Sequence, residues 1–196
     1  QKLYQDGKIT YMRTDSVNIS GIALSQMTEF ITKEFGKEYH QIRTFKTKSS
    51  GAQEAHEAIR PTDARAEFAS SDAYNQKLYD LIRRRTIASQ MAPAKLEKTT
   101  VTITISTRKE TFEAKGEVIV FDGFLKMYGG GKKDPDILPP VSATDVLEIQ
   151  SAQARQVFAR PPARYSEGSL VKKLEDLGIG RPSTYATIIN TVQVRG

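Results

Sequence analysis

The hydrophobic period changes twice along this 196-residue chain, and that change constrains the fold more than any other sequence feature. Leu24, Met27, Ile31 and Phe35 recur at helical spacing, which predicts a helix from about Gly21 with Ser20 as N-cap and Gly36 as its stop. A second, longer helix is expected after Ser71 or Asp72, burying Tyr74, Leu78, Leu81 and Ile82 and ending at Pro93. Past Pro93 the period shortens to two: Val101, Ile103 and Ile105 alternate with threonine and serine, Phe112 and Ala114 follow suit, and Val118, Val120 and Phe121 continue the trend. These predict strands of an antiparallel sheet, with a further strand around Val146 to Ile149. Helical spacing returns at Leu170, Val171, Leu174 and Leu177 behind Ser166, stops at Gly178, and resumes at Tyr185, Ile188, Ile189 and Val192 with Ser183 as the expected cap.

Shorter signals complete the map. Lys8 to Thr14 reads as a short strand leading into capping residues, Thr44 to Ala52 as an exposed loop, and Gln53 to Ile59 as a short helix halted by Pro61. The fold class is therefore α+β in three regions: residues 1–93 mixed, 94–162 all β, and 163–196 a helical pair. A hydrophobic share of 38% and a charged share of 27% suit a globular chain, and no apolar run reaches bilayer length. Zero cysteines exclude disulfides and cysteine zinc sites, and are compatible with the cytoplasm. The formal charge of +6 makes an anionic partner plausible. The chain opens on Gln1 without a Met and stops at Gly196 straight after a helical pattern, ends expected of a piece of a longer protein.

Three clusters carry potential chemistry. In Ile9-Thr10-Tyr11-Met12-Arg13-Thr14-Asp15-Ser16, a strand would point Tyr11 and Arg13 to the same face. A free tyrosine hydroxyl titrates at roughly pH 10, so at neutral pH it attacks phosphorus only where a cation stabilises the charge that develops. Arg13 could supply that cation and grip a phosphate oxygen; the plain alternative is a packed tyrosine beside a solvated arginine. In Gln53 to Pro61, His56 stands among Glu54, Glu57 and Arg60 and could bond a phosphate or position another group, or the stretch could equally be a surface helix. It is no zinc motif, because Arg60 occupies the place of the second histidine. In Leu177 to Tyr185, glycines, free helix-start amides and Arg181 suit a phosphate backbone, or simply a helix stop followed by the next helix. Arg83 to Arg85, Lys132 and Lys133 read as solvated charge.

In this order the clusters resemble the type IA DNA topoisomerases, most closely the bacterial topoisomerase I type. The likeness rests on ITYMRTDS at Ile9 to Ser16, QEAHEAIRPTD at Gln53 to Asp63, PPARYSEGSLVKKLEDLGIGRPSTYATII at Pro161 to Ile189 and MAPAK at Met91 to Lys95, and it spans essentially the whole chain. Met12 favours this type over topoisomerase III, where proline is expected; reverse gyrase shares the tyrosine motif. The resemblance implies a toroidal, ATP-independent isomerase that cleaves single-stranded DNA through a 5′-phosphotyrosyl link and relaxes negative supercoils. It implies Tyr11 as nucleophile, Arg13 as transition-state stabiliser and His56 at the scissile phosphate, with Asp15, Arg181, Ser183 and Thr184 along the DNA path.

By the same resemblance, residues 1–93 are most of the tyrosine-bearing gate domain, 94–162 a segment of the β arch, and 163–196 the start of a helical DNA-binding domain. The Toprim domain, which holds Mg2+ in the intact enzyme, precedes these residues in the family; it is an implied partner, no metal is expected here, and the isolated chain is expected not to relax DNA. The readings from other classes are a single-stranded nucleic-acid-binding module without catalysis and an α+β scaffold with a basic surface. No membrane partner is expected.

Overall fold

The computed structural model describes residues 1–45, 56–130 and 137–195. They form two compact units, Gln1–Leu138 and Pro139–Gly196.

The first unit opens with α1 (Lys2–Gln5) and a reversal in which Gly7, at φ 67°, lets Lys8 N–H reach Leu3 O at 2.8 Å. Helix α2 (Gly21–Glu34) begins where its capping signal says: the Ser20 hydroxyl accepts Ala23 N–H at 3.4 Å. Phe35 follows as C-cap and Gly36, at φ 107°, carries the chain out of the helix. Met27 and Ile31 point inward and meet Ala64, Ile87 and Met91, with Leu24, Phe30 and Phe35 around them. Burying an isoleucine in this way stabilises by about 1.5–3 kcal/mol.

Helix α3 (Ala73–Ser89) is capped by Asp72, whose carboxylate accepts Asn75 N–H at 2.8 Å. Its buried face differs from the expectation. Tyr74 is 88% exposed, Leu78 and Leu81 are exposed and Ile82 is partly buried, while Tyr79, Thr86, Ile87 and Ala88 turn inward. Polar atoms on that face are satisfied, which makes their burial tolerable: the Tyr79 hydroxyl donates to Ala66 O at 2.7 Å, and Arg83 Nε donates to Ala64 O at 2.8 Å. Burial raises the Tyr79 phenol above its ordinary range, against the pull of Arg83. Arg83 also lies over the Phe30 ring, so it is a packed residue and not the solvated charge expected of it.

Strands β1 (Lys95–Thr104) and β2 (Thr111–Phe121) form a two-stranded antiparallel sheet in which Val101 faces Ala114 and Ile103 faces Phe112. Its root is pinned to the unit. Tyr39 donates to Asp122 at 2.7 Å and packs on Phe121 at 4.8 Å between centroids, and Ala92 N–H reaches Tyr39 O at 2.7 Å. Gly123, at φ 49°, passes so close that a Cβ there would stand 2.5 Å from Ala92 O. A 3-10 helix, Gly123–Tyr128, sends Phe124 and Met127 back to the core around Ile31.

In the second unit, residues 139–166 hold no helix or strand, so the strand expected at Val146 to Ile149 is absent. Val146 is 97% exposed; β-branched residues stay in a strand only when a partner pairs their backbone, and none lies beside them in this unit. Helix α4 (Glu167–Asp176) starts with a reciprocal capping box between Ser166 and Ser169. It stops in a Schellman motif, with Ile179 N–H on Leu174 O at 2.9 Å and Gly178 N–H on Glu175 O at 3.0 Å. Helix α5 (Tyr185–Arg195) begins two residues later than its expected cap. Thr184, not Ser183, carries the local bonds: its hydroxyl accepts Arg181 N–H at 2.9 Å and donates to Arg181 O at 3.0 Å. Leu170, Val171, Leu174, Tyr185, Ile188 and Ile189 are partly buried, whereas Leu177 and Val192 are exposed.

Candidate active site around Tyr11

Two further expectations fail around Tyr11, and their failure builds the site. Lys8 to Thr14 is not a strand: Ile9 and Pro61 form a single antiparallel bridge, after which the chain bends at Met12 and Arg13. One bridge cannot impose a two-residue alternation, so the strand argument for Tyr11 and Arg13 sharing a face does not apply. Of the helix expected at Gln53 to Ile59, residues 53–55 lie outside the described residues, and 56–59 are not helical. Tertiary bonds hold that segment instead.

Those bonds run from residues beside the tyrosine. Thr10 N–H donates to Arg60 O at 2.9 Å, Arg60 N–H donates to the Thr10 hydroxyl at 2.9 Å, and that hydroxyl donates to Ala58 O at 2.7 Å. Thr62 N–H reaches Lys8 O at 3.0 Å, and Ala58 N–H reaches Asn18 O at 2.7 Å. Two residues before Tyr11, Ile9 is buried with Leu3, Ala69 and Tyr79, and Met12, the residue after it, packs against the same cluster. Anchors on both sides fix the tyrosine backbone while leaving its side chain at the surface, 38% exposed.

The phenol ring sits between two others. Tyr4 approaches it at 5.3 Å between centroids and 71°, and His56 at 5.4 Å and 70°, both edge-on. Among the described residues, His56 Nδ1 and Arg60 Nε are buried without a hydrogen-bond partner. Buried polar atoms are seldom left so. Arg60 otherwise donates to Glu57 at 2.7 Å and to Pro61 O at 3.1 Å. Burial acts to raise the Glu57 carboxyl, but bonds from Ser20 and Arg60 outweigh it and hold the group below the ordinary carboxylate range.

Arg13 is exposed and, among the described residues, makes no hydrogen bond or ion pair, so its charge is free for an incoming anion. Asp15 is half-buried two residues on, and Thr14 and Ser16 bond locally, Ser16 N–H to the Thr14 hydroxyl at 2.9 Å. The structure thus brings Tyr11 and His56 into contact and places Arg13 and Asp15 on the loop that follows. Arg181, Ser183 and Thr184 share the α4–α5 turn of the second unit, where Gly178 at φ 69° and Gly180 at φ 80° shape the backbone and the Arg181 side chain is exposed. Tyr4 and Thr10 are site residues that sequence reasoning misses. The turn at Asp6 and Gly7 is the available signal for Tyr4, since a reversal there returns the chain to it.

Chemically, the arrangement offers an accessible phenol, an unpaired guanidinium on the same loop and an imidazole against the phenol ring, a set suited to attack on a phosphodiester. The sequence matches the DNA topoisomerase family over residues 1–196. It is 46% identical to a mimivirus protein named DNA topoisomerase 1 type prokaryotic, over 98% of this chain and 25% of that protein. It is also 46% identical to DNA topoisomerase 1 of Vibrio cholerae, over 100% of this chain and 23% of that one. The fold resembles full-length topoisomerase I from Thermotoga maritima, with a TM-score of 0.68 and 33% identity over 96% of this chain and 30% of that chain. The chain spans about a quarter of the length of its curated relatives. By sequence and fold alike, it belongs to the type IA DNA topoisomerase family.

Proposed function

We propose that this chain is the tyrosine-bearing part of an ATP-independent enzyme that cuts and rejoins single-stranded DNA, relaxing negative supercoils in the intact protein. The observation that carries the proposal is the accessible Tyr11 ring held edge-on to His56. The Tyr11 oxygen attacks phosphorus and forms the O–P bond; the bond to the 3′ oxygen breaks, and that oxygen takes up a proton while the phenol gives one up. The product is a 5′-phosphotyrosyl link and a free 3′-hydroxyl. Reversal reseals the strand with no net bond lost, so no nucleotide cofactor is consumed.

Arg13 stabilises the charge that builds on the phosphoryl oxygens, and His56 contacts the scissile phosphate. A positioned donor of this kind contributes about 2.7–4 kcal/mol. Asp15 lies near the reacting centre, while Arg181, Ser183 and Thr184 hold the strand. Residues 1–93 serve as the gate, 94–162 as the returning arm of the β arch, and 163–196 as the opening of the helical DNA-binding domain.

Magnesium belongs to the remainder of the protein in this reading, in a Toprim domain. Among the described residues no three His, Asp or Glu side chains gather as a metal site, and no step assigned to these residues runs through the ion. Among the described residues no helix is long and apolar enough to cross a membrane; we assign the enzyme to the cytoplasm. The chain alone binds DNA without relaxing it.

Mixing the chain with a separately expressed Toprim domain, magnesium and a labelled single-stranded oligonucleotide tests this reading. It predicts a covalent adduct on a denaturing gel with Tyr11 and none with Tyr11→Phe. Salt-sensitive binding unaffected by Tyr11→Phe, with no adduct from either, would favour a binding module instead.

A further inference from the structure

Glu57 joins three segments that surround Tyr11. Its Oε1 accepts the backbone N–H of Ser20, the N-cap of α2, at 2.8 Å, and its Oε2 accepts Arg60 at 2.7 Å. Arg60 is in turn bonded through its backbone to Thr10 in both directions, at 2.9 Å each. The neighbouring Ala58 N–H donates to Asn18 O at 2.7 Å. The carboxylate therefore ties the start of α2, 37 residues earlier in the chain, to the stretch that flanks the tyrosine. With 15% of the Arg60 side chain and 32% of the Glu57 side chain exposed, the pair is sheltered enough for its geometry to be held.

His56 is the residue immediately before this anchor, and its ring meets Tyr11 edge-on. Among the described residues it makes no side-chain hydrogen bond through Nδ1, so none of them fixes the ring at that atom. Its placement depends on the backbone that follows it, which is the backbone Glu57 fastens. We infer that Glu57 is a positioning residue of the cleavage reaction: it holds the His56–Arg60 segment against Tyr11 and so presets the imidazole at the reacting phosphate. It touches neither the substrate nor the reacting atoms, and the inference rests on Tyr11 being the nucleophile.

The test uses a full-length enzyme carrying these residues and follows single-turnover adduct formation on a single-stranded oligonucleotide. Glu57→Gln keeps the size of the side chain and removes its charge. The expected result is adduct formation about tenfold slower, with oligonucleotide affinity unchanged within about twofold. In a His56→Ala background the same substitution should cost nothing more, because the group being positioned is gone. A rate like the wild type overturns the inference, and so does a loss that multiplies with that of His56→Ala, which would mean Glu57 acts elsewhere. If Glu57→Gln does not fold, Arg60→Lys asks the question from the other end of the pair, and an undiminished rate there overturns it equally. An adduct formed by Tyr11→Phe would instead sink the functional reading on which the inference stands.

Discussion

The two units of this chain are built on different terms. Gln1–Leu138 contains two buried clusters, one around Met27, Ile31 and Ile87 and one around Leu3, Ile9 and Tyr79, and the second takes in Ile9 and packs against Met12, on either side of the tyrosine in the chain. Among the described residues, Pro139–Gly196 has none that is fully buried, and its helices are fixed by caps and a Schellman motif more than by packing. A reacting group must hold its position to within a fraction of an ångström, which demands a packed foundation; a surface that grips a nucleic-acid backbone through exposed charge does not. Chemistry is thus expected on the packed unit and strand-holding on the lightly packed one.

Arg13→Ala and Arg181→Ala should break this division if it is wrong. In a full-length enzyme, Arg13→Ala is predicted to slow cleavage by about 10²–10³-fold at nearly unchanged DNA affinity. Cleavage within threefold of wild type, at roughly the scale of a surface change, would remove Arg13 from the chemistry. The packing contrast gives the next effect. Ile31→Ala should lower unfolding free energy by about 2–5 kcal/mol, whereas Leu174→Ala should cost less than about 1 kcal/mol, as denaturant titration would show. Equal losses would mean the second unit holds as firm a core as the first.

Arg181→Ala should weaken binding without touching the chemical step and reduce the slope of log affinity against log salt by about one. An unchanged slope would place Arg181 away from the DNA path. The smallest effect concerns acidity. The Glu57 carboxyl is held below the ordinary carboxylate range, so its stabilising contribution is complete at neutral pH and is lost as pH falls through that lowered value. The difference in Tm between wild type and Glu57→Gln should therefore narrow on acidification below about pH 4, near the free carboxylate value. A difference constant with pH would show that the charge of Glu57 is not what stabilises.

Legibility in the sequence follows the range of the interactions. Helix α2 is readable because Ser20, the Leu24–Met27–Ile31 spacing and Gly36 are all local signals, and the β1–β2 hairpin because its alternation is long. The inward face of α3 is misread because Tyr79 and Arg83 look like surface residues until the carbonyls of Ala64 and Ala66, distant in sequence, accept their bonds. The stretch Lys8 to Thr14 has strand composition but only one bridge to pair with. Of the site, Tyr11, Arg13 and His56 are legible as chemical types, and their order as a family likeness. The contact between Tyr11 and His56 is not, since Thr10 and Glu57 create it through bonds spanning tens of residues.

The most direct measurement takes a full-length enzyme carrying this segment, traps its covalent DNA adduct on a single-stranded oligonucleotide and maps the attachment point by mass spectrometry, in the wild type and in Tyr11→Phe. A 5′-phosphate on Tyr11 in the wild type, with no adduct in the variant and DNA binding retained, is the predicted result. An adduct on any other residue, or one that persists in Tyr11→Phe, would contradict it.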